Sequence, residues 1–377
     1  MKTLVSFLSL VFVILSGCAN DPAPAVEEGP PQWVSYAGHD GPGAGKSIVL
    51  VSGDEEYRSE EALPQLAKIL AHRHGFNTTV LFAQDPAHPG IIDPNYTNNI
   101  PGLDALDAAD LMVLFTRFRD LPDAQMTHFE NYFNAGKPVV ALRTATHAFQ
   151  IEDSSSAWAH WGNQFNDDTS PWNGGFGRFV LGEKWYTHHG HHKQQSTLGL
   201  IAPEATDHPI NNGIADGDIW GSTDVYGVRL PMPEGTMPLV LGQVINRAGE
   251  YDEEDLFFGM RPTDTEVAMV NPAARSEYNP NDPIMPIAWT KPYQLPEGAP
   301  GMAFTSTIGS SSDMVNDGVR RLLVNAVYHM LDMDVPAEAD VAVVGEFNPS
   351  QYSFQSDEYW ETKDLKIEAL LSHEGDH

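Results

Sequence analysis

Cysteine is almost missing: Cys18 is the single thiol in 377 residues. That excludes an intramolecular disulfide and a cysteine metal cluster. Basic residues are scarce too, 21 against 52 acidic ones, for a formal net charge of −31. Such a surface repels nucleic acid and anionic lipid, so neither is an expected partner. Long apolar runs are absent beyond the first twenty residues. The run at 4–15 is too short to span a bilayer comfortably and reads as an export signal.

That run ends in LSGC (15–18), which resembles a bacterial lipobox and implies cleavage before Cys18 and lipidation of its thiol. A mature chain so processed keeps no catalytic thiol. The expected address is the cell envelope, on the periplasmic side or at the outer membrane, with the lipid anchor as the only membrane contact. The expected division is a signal at 1–17, a Pro/Gly/Ala-rich tether at 18–45, a domain at 46–335 and a C-terminal extension at 336–377.

From residue 46 onward apolar runs alternate with helical stripes. KSIVLVS (46–52) reads as a strand buried on both faces, and FNTTVLFA (76–83), DLMVLFT (110–116) and KPVVALR (137–143) read as three further strands. Residues 60–74 and 123–134 read as helices, with Pro64 expected near the first turn of its helix and Gly75 and Gly136 as stops. This order predicts a doubly wound, mostly parallel sheet. Shorter strands are expected at 196–201, 238–244, 285–289 and 302–307, and a helix at 312–331. Between them, residues 151–193 are dense in Trp, Gly, His and Asn, as in a loop-rich functional insertion.

Ligands of such sheets bind beyond the carboxyl ends of the strands. Those ends carry Asp54, Glu55, Glu56 and Arg58, then Arg117 and Arg119, then Arg143, Thr144 and His147. One use of this set is a pocket. The forks of Arg58, Arg117, Arg119 and Arg143, with Thr144, would grip substrate oxygens, while Asp54, Glu55 or Glu56 moves a proton. The other use is a structural ion-pair network. Tyr57 and Phe118 read as packing residues. THHGHHKQQS adds His188, His189, His191 and His192. Imidazoles so grouped can ligate a transition metal, but no carboxylate or cysteine lies at a usual spacing, and no cofactor is expected. His191 is expected as a proton carrier beside His147, and His188 and His189 as substrate contacts. Trp172, Asp224 and Tyr226 complete the expected contacts, tryptophan faces being suited to sugar rings.

The segments GDEEYRSEEALPQLAKIL, IPGLDALDAADLMVLFTRFRDLP, GKPVVALRTATHAF, DHPI, GDIWGSTDVYGVRLP, PIAWTKPY and GVRRLLVNAVYHML together resemble the trehalose-utilization (ThuA-like) family, and within it the secreted lipoproteins of planctomycete-type bacteria. The resemblance spans about residues 46–332. It implies the flavodoxin-like α/β/α sandwich of class I glutamine amidotransferases and a place in carbohydrate metabolism. It also implies that Arg143 stands where an amidotransferase of this fold places its cysteine, and where ThuA-like proteins often have histidine. Ser310 likewise replaces a histidine common after Gly309. An arginine is always charged and cannot attack a carbonyl, which excludes glutaminase and thiol-protease chemistry. Two functions are expected: an enzyme acting on a sugar or keto-sugar by hydrolysis or proton transfer, or a sugar-binding lipoprotein without catalysis. If Arg143 serves substrate, removing it should leave stability nearly unchanged.

Overall fold

The computed structural model describes residues 29–371; the export signal and Cys18 lie outside them. Trp33–Tyr36 (β1) is followed by Ser47–Gly53 (β2), Ser59–His74 (α1), Asn77–Phe82 (β3), Leu111–Thr116 (β4), Asp123–Asn134 (α2) and Val139–Leu142 (β5). After a long irregular stretch come Gln195–Ile201 (β6), Trp220–Gly221 (β7), Met237–Asn246 (β8), Met285–Tyr293 (β9), Gly301–Ser306 (β10) and Asp317–Met330 (α3). Two short helices, Asp357–Lys363 (α4) and Glu368–Leu371 (α5), close the described chain.

All ten strands join one sheet, in the order β1-β3-β2-β4-β5-β10-β9-β8-β6-β7. Strands β3, β2, β4, β5 and β10 run parallel. The rest do not: of nine neighbouring pairs, four are parallel and five antiparallel. The expected mostly parallel sheet is therefore corrected to a mixed one. The reason lies in the connections. Parallel pairing needs a crossover, which α1 provides between β2 and β3 and α2 between β4 and β5, whereas the chain from β6 to β10 has no long helix and folds back on itself.

Alternation along the parallel strands sets the layers. Ile48, Leu50, Val113 and Phe115 point into one apolar cluster with α1 and α3, while Val49, Val51, Met112 and Leu114 point into another with α2. On α1 the stripe Leu63, Leu66, Ile69 and Leu70 is wholly buried, each side chain contributing roughly 1.5–3 kcal/mol. Pro64 sits in the second turn rather than the first, so the helix lacks one backbone bond there. Gly75, at φ 80°, ends α1 in the left-handed region. The expected helix at 312–331 begins later, because Asn316 caps α3 by accepting from the Val319 amide at 2.9 Å.

One expectation at the chain ends changes. Trp33–Tyr36, placed in the tether, is instead an edge strand paired antiparallel with β3, with Val34 and Tyr36 buried. The C-terminal extension wraps. Val341, Tyr352, Trp360 and Ile367 are buried. Its backbone is stitched to the domain by Ser353 N to Glu56 O at 2.9 Å and Ile367 N to Gly90 O at 3.0 Å.

Candidate functional site

Strand β5 ends at Leu142, and Arg143 opens a short 3-10 turn at φ 41°. A bulky residue in the left-handed region is strained and is held there by its surroundings. Arg58, Phe118 and Lys193, in neighbouring loops, share that strain, making four of the eight non-glycine residues with positive φ among the described residues. The Arg143 side chain is sealed from solvent. Its Nη1 donates to Asp224 O at 2.6 Å and Thr307 O at 2.7 Å; its Nη2 donates to Asp224 Oδ1 at 3.0 Å and Tyr57 Oη at 3.1 Å. The guanidinium lies between two rings, 3.7 Å from Tyr226 and 4.5 Å from Tyr57. It ties three loops together; both terminal nitrogens are engaged and Nε is sealed in the interior, without a hydrogen-bond partner among the described residues, so its expected substrate grip is corrected to a structural one. Tyr57, read as packing, is one of its partners.

Asp224 is the hub. Its Oδ1 also accepts from His192 Nδ1 at 3.0 Å, and its Oδ2 from His188 Nδ1 at 2.9 Å. Burial pushes the Asp224 carboxyl up, yet His188, Arg143 and these hydrogen bonds together hold it well below the usual carboxylate range. Burial pushes the His192 imidazole down. Both histidines reach the surface, with side-chain exposures of 34% and 26%. They face the same carboxylate because the chain turns between them at Gly190, where an added Cβ would come within 3.3 Å of the Asp224 Cβ.

The three acidic residues after β2 divide sharply. Asp54 is consumed by its own loop: Oδ1 accepts from the Glu56 amide at 2.8 Å and from the Tyr57 amide, and Oδ2 accepts from Thr144 Oγ1 at 2.6 Å. Glu55 is consumed by Arg117 Nη1 and by Arg119 Nη2, the latter at 2.6 Å. Glu56 differs. Its carboxylate has longer ion-pair contacts, 3.5 Å to His192 Nε2 and 3.7 Å to Arg117 Nε. Burial and then the Asp54 charge push it up to about 7, against the pull of Arg117.

Other expected residues lie elsewhere or are sealed. Arg119 is fully buried and also donates to Arg117 O, Pro94 O and Tyr96 O. Arg58 is buried, donates to Ser353 O at 2.6 Å and lies 4.9 Å from the Trp360 ring, clamping the extension. Neither guanidinium reaches the surface. Trp172 is stacked on Trp161 at 5.2 Å inside the core formed with α2, so it offers no sugar platform. His189 turns away to Pro280 O at 3.0 Å, and His191 is half-buried outside the His188–His192–Asp224 group. Burial, with Arg117 and Arg143, drives the His147 imidazole well down, so it stays neutral between Phe118 and Trp185. The corner after β10 is held by Asp313, which accepts from the amides of Gly309 and Ser310; Ser310 itself is buried.

The open rim was only partly foreseen. Arg117 lies between Phe118 and Phe354, 4.7 and 4.8 Å from their rings. Phe354 comes from the C-terminal extension, and its neighbour Tyr352 stacks on Tyr57 at 5.1 Å. Trp185 stands 5.6 Å from His188, its Nε1 buried without a hydrogen-bond partner among the described residues. The site therefore presents Glu56, His188, His192 and Arg117, bordered by Phe118, Trp185 and Phe354.

No family model matches the sequence, and no curated protein was found similar to it. Solved structures with a similar course include two proteins described as ThuA-like. The one from Bacteroides uniformis shares 15% identity at a TM-score of 0.45, over 79% of this chain and 96% of that one. The one from Parabacteroides merdae shares 13% at 0.41, over 82% and 97%. At that distance no residue role passes from them to this chain.

Proposed function

We propose that this chain is a carbohydrate-directed enzyme that transfers a proton next to a carbonyl of an oxidised sugar. The observation that carries the reading is the division among four carboxylates. Asp54, Glu55 and Asp224 are saturated by hydrogen bonds, and Glu56 alone of the four is held only by longer ion-pair contacts, next to the partly exposed imidazole of His192. Glycoside hydrolysis of the usual kind needs two working carboxylates. A single carboxylate beside oriented imidazoles suits proton transfer.

In this reading Glu56 takes the proton from the carbon next to the carbonyl. The C–H electron pair moves to form a carbon–carbon double bond, and the carbonyl oxygen takes a proton from the imidazolium of His188, giving an enediol. Asp224 fixes the Nδ1–H tautomers of His188 and His192. Arg117 holds a second substrate oxygen. The bordering aromatic rings support a sugar as the ligand class, as does the resemblance over residues 46–332. The helices on both faces of strands β3-β2-β4-β5-β10 support a flavodoxin-like, amidotransferase-type sandwich for this half. The LSGC motif supports delivery to the cell envelope on a lipid anchor at Cys18.

The test is a panel of glycans and 3-keto-sugars, followed by both titration calorimetry and product analysis. A keto-sugar that binds and is rearranged bears the proposal out. Saturable glycan binding with no product would leave the second reading, a sugar-binding lipoprotein, to which the absence of a nucleophile at Arg143 already points.

A further inference from the structure

We infer that His188, His192 and Asp224 form a binding site for one first-row divalent transition-metal ion. The inference rests on the substrate placement above, because the ion would replace the proton as the electrophile at the carbonyl oxygen. One ligand atom from each residue lies within 4.8 Å of the others. The carboxylate oxygens stand 2.9 Å from His188 Nδ1 and 3.0 Å from His192 Nδ1. Neighbouring ligand atoms around an ion with bonds of ~2.1 Å are about 3 Å apart, so the same spacing that makes two hydrogen bonds also suits two ligand edges. Two imidazoles and one carboxylate are a donor set for zinc, iron, cobalt or manganese, not for calcium or magnesium.

The surroundings meet the remaining requirements of a metal site. The carboxylate is fixed from below, since Arg143 Nη2 donates to Asp224 Oδ1 at 3.0 Å, so the ligand is oriented in advance. The backbone next to it is fixed as well: Arg143 Nη1 donates to Asp224 O at 2.6 Å. The exposed edges of His188 and His192 give the ion a way in and leave coordination positions open on the solvent side. Glu56, 3.5 Å from His192 Nε2, would lie beside whatever oxygen the ion holds. The sequence hides the set, because Asp224 comes 32 residues after His192 and 36 after His188.

The test uses the chain with its metals stripped by chelator and then titrated with Zn(II) and with Co(II). Calorimetry should give one equivalent per chain, and Co(II) should develop a visible absorption band. His188→Ala and His192→Ala should each weaken binding more than ~100-fold. Circular dichroism and thermal melts confirm that each variant is folded. No uptake by the wild type, or undiminished uptake by a folded His188→Ala/His192→Ala double variant, overturns the site. The two proposals fail separately. Turnover of a keto-sugar that persists unchanged in the stripped protein sinks the metal and leaves the proton-transfer reading intact. Tight, histidine-dependent metal binding without any product does the reverse.

Discussion

Arg143→Met separates a structural arginine from a substrate-gripping one. Methionine nearly fills the space between Tyr57 and Tyr226 but carries no charge and no donors. The variant loses hydrogen bonds to Asp224 O, Thr307 O, Tyr57 Oη and Asp224 Oδ1. It also leaves the Asp224 carboxylate buried without its permanent cation. Removing one partner of a buried ion pair costs about 3–5 kcal/mol. Unfolding entropies near 2.1 cal/mol/K per residue give a chain of this size roughly 0.7 kcal/mol/K, so the thermal midpoint should fall by about 4–7 °C. Arg143→Lys, which keeps the charge but not the fork, should recover part of that loss. Differential scanning calorimetry at neutral pH is the assay. A midpoint within about 1 °C of wild type would refute the structural role and restore the simpler expectation that Arg143 serves a ligand.

Four other outcomes follow from the same structure. Burial pushes the Glu60 carboxyl up to about 8 against the opposing Arg58 charge. Its folded value lies above its unfolded one, so its contribution is full at low pH and is lost as pH rises through about 8; Glu60→Gln should therefore gain stability over wild type at pH 9 but not at pH 5, measured by urea unfolding. Trp172→Ala should cost about 3–5 kcal/mol while leaving ligand affinity unchanged, because the ring packs on Trp161 and Phe179 in the core. Tyr352→Ala should destabilise by a similar amount, since the ring is fully buried against Tyr57. Phe354→Ala, at an exposed ring over Arg117, should stay within about 0.5 kcal/mol in stability yet alter ligand affinity.

The elements that were legible in the sequence share a physical cause. Strands β2, β4 and β5 are buried on both faces, so they read as unbroken apolar runs. Helices α1 and α2 carry a stripe and a stop. The antiparallel half was visible only as scattered short strands, because its pairing partners are far apart in sequence. β1 was hidden by the prolines just before it. At the site, the loops after β2, β4 and β5 follow from sheet topology alone, and they do meet. Which residues pair within them does not follow. Arg143 finds Asp224 at 81 positions' distance, and Glu55 finds Arg117 and Arg119 at 62 and 64. No local spacing carries such pairs. Composition misled in one place, since tryptophans near histidines suggested a sugar platform, whereas Trp161 and Trp172 fill a core and only Trp185 of that group stands at the histidine cluster.

The central claim is that Glu56 is the group that moves the proton. Incubating a 3-keto-sugar with the protein in D2O and following the carbon-bound hydrogen next to the carbonyl by proton NMR tests it most directly. Wild type should exchange that hydrogen for deuterium, and Glu56→Gln, folded and with an unchanged melt, should do so at least ~100-fold more slowly. Equal exchange rates in the two proteins would contradict the account.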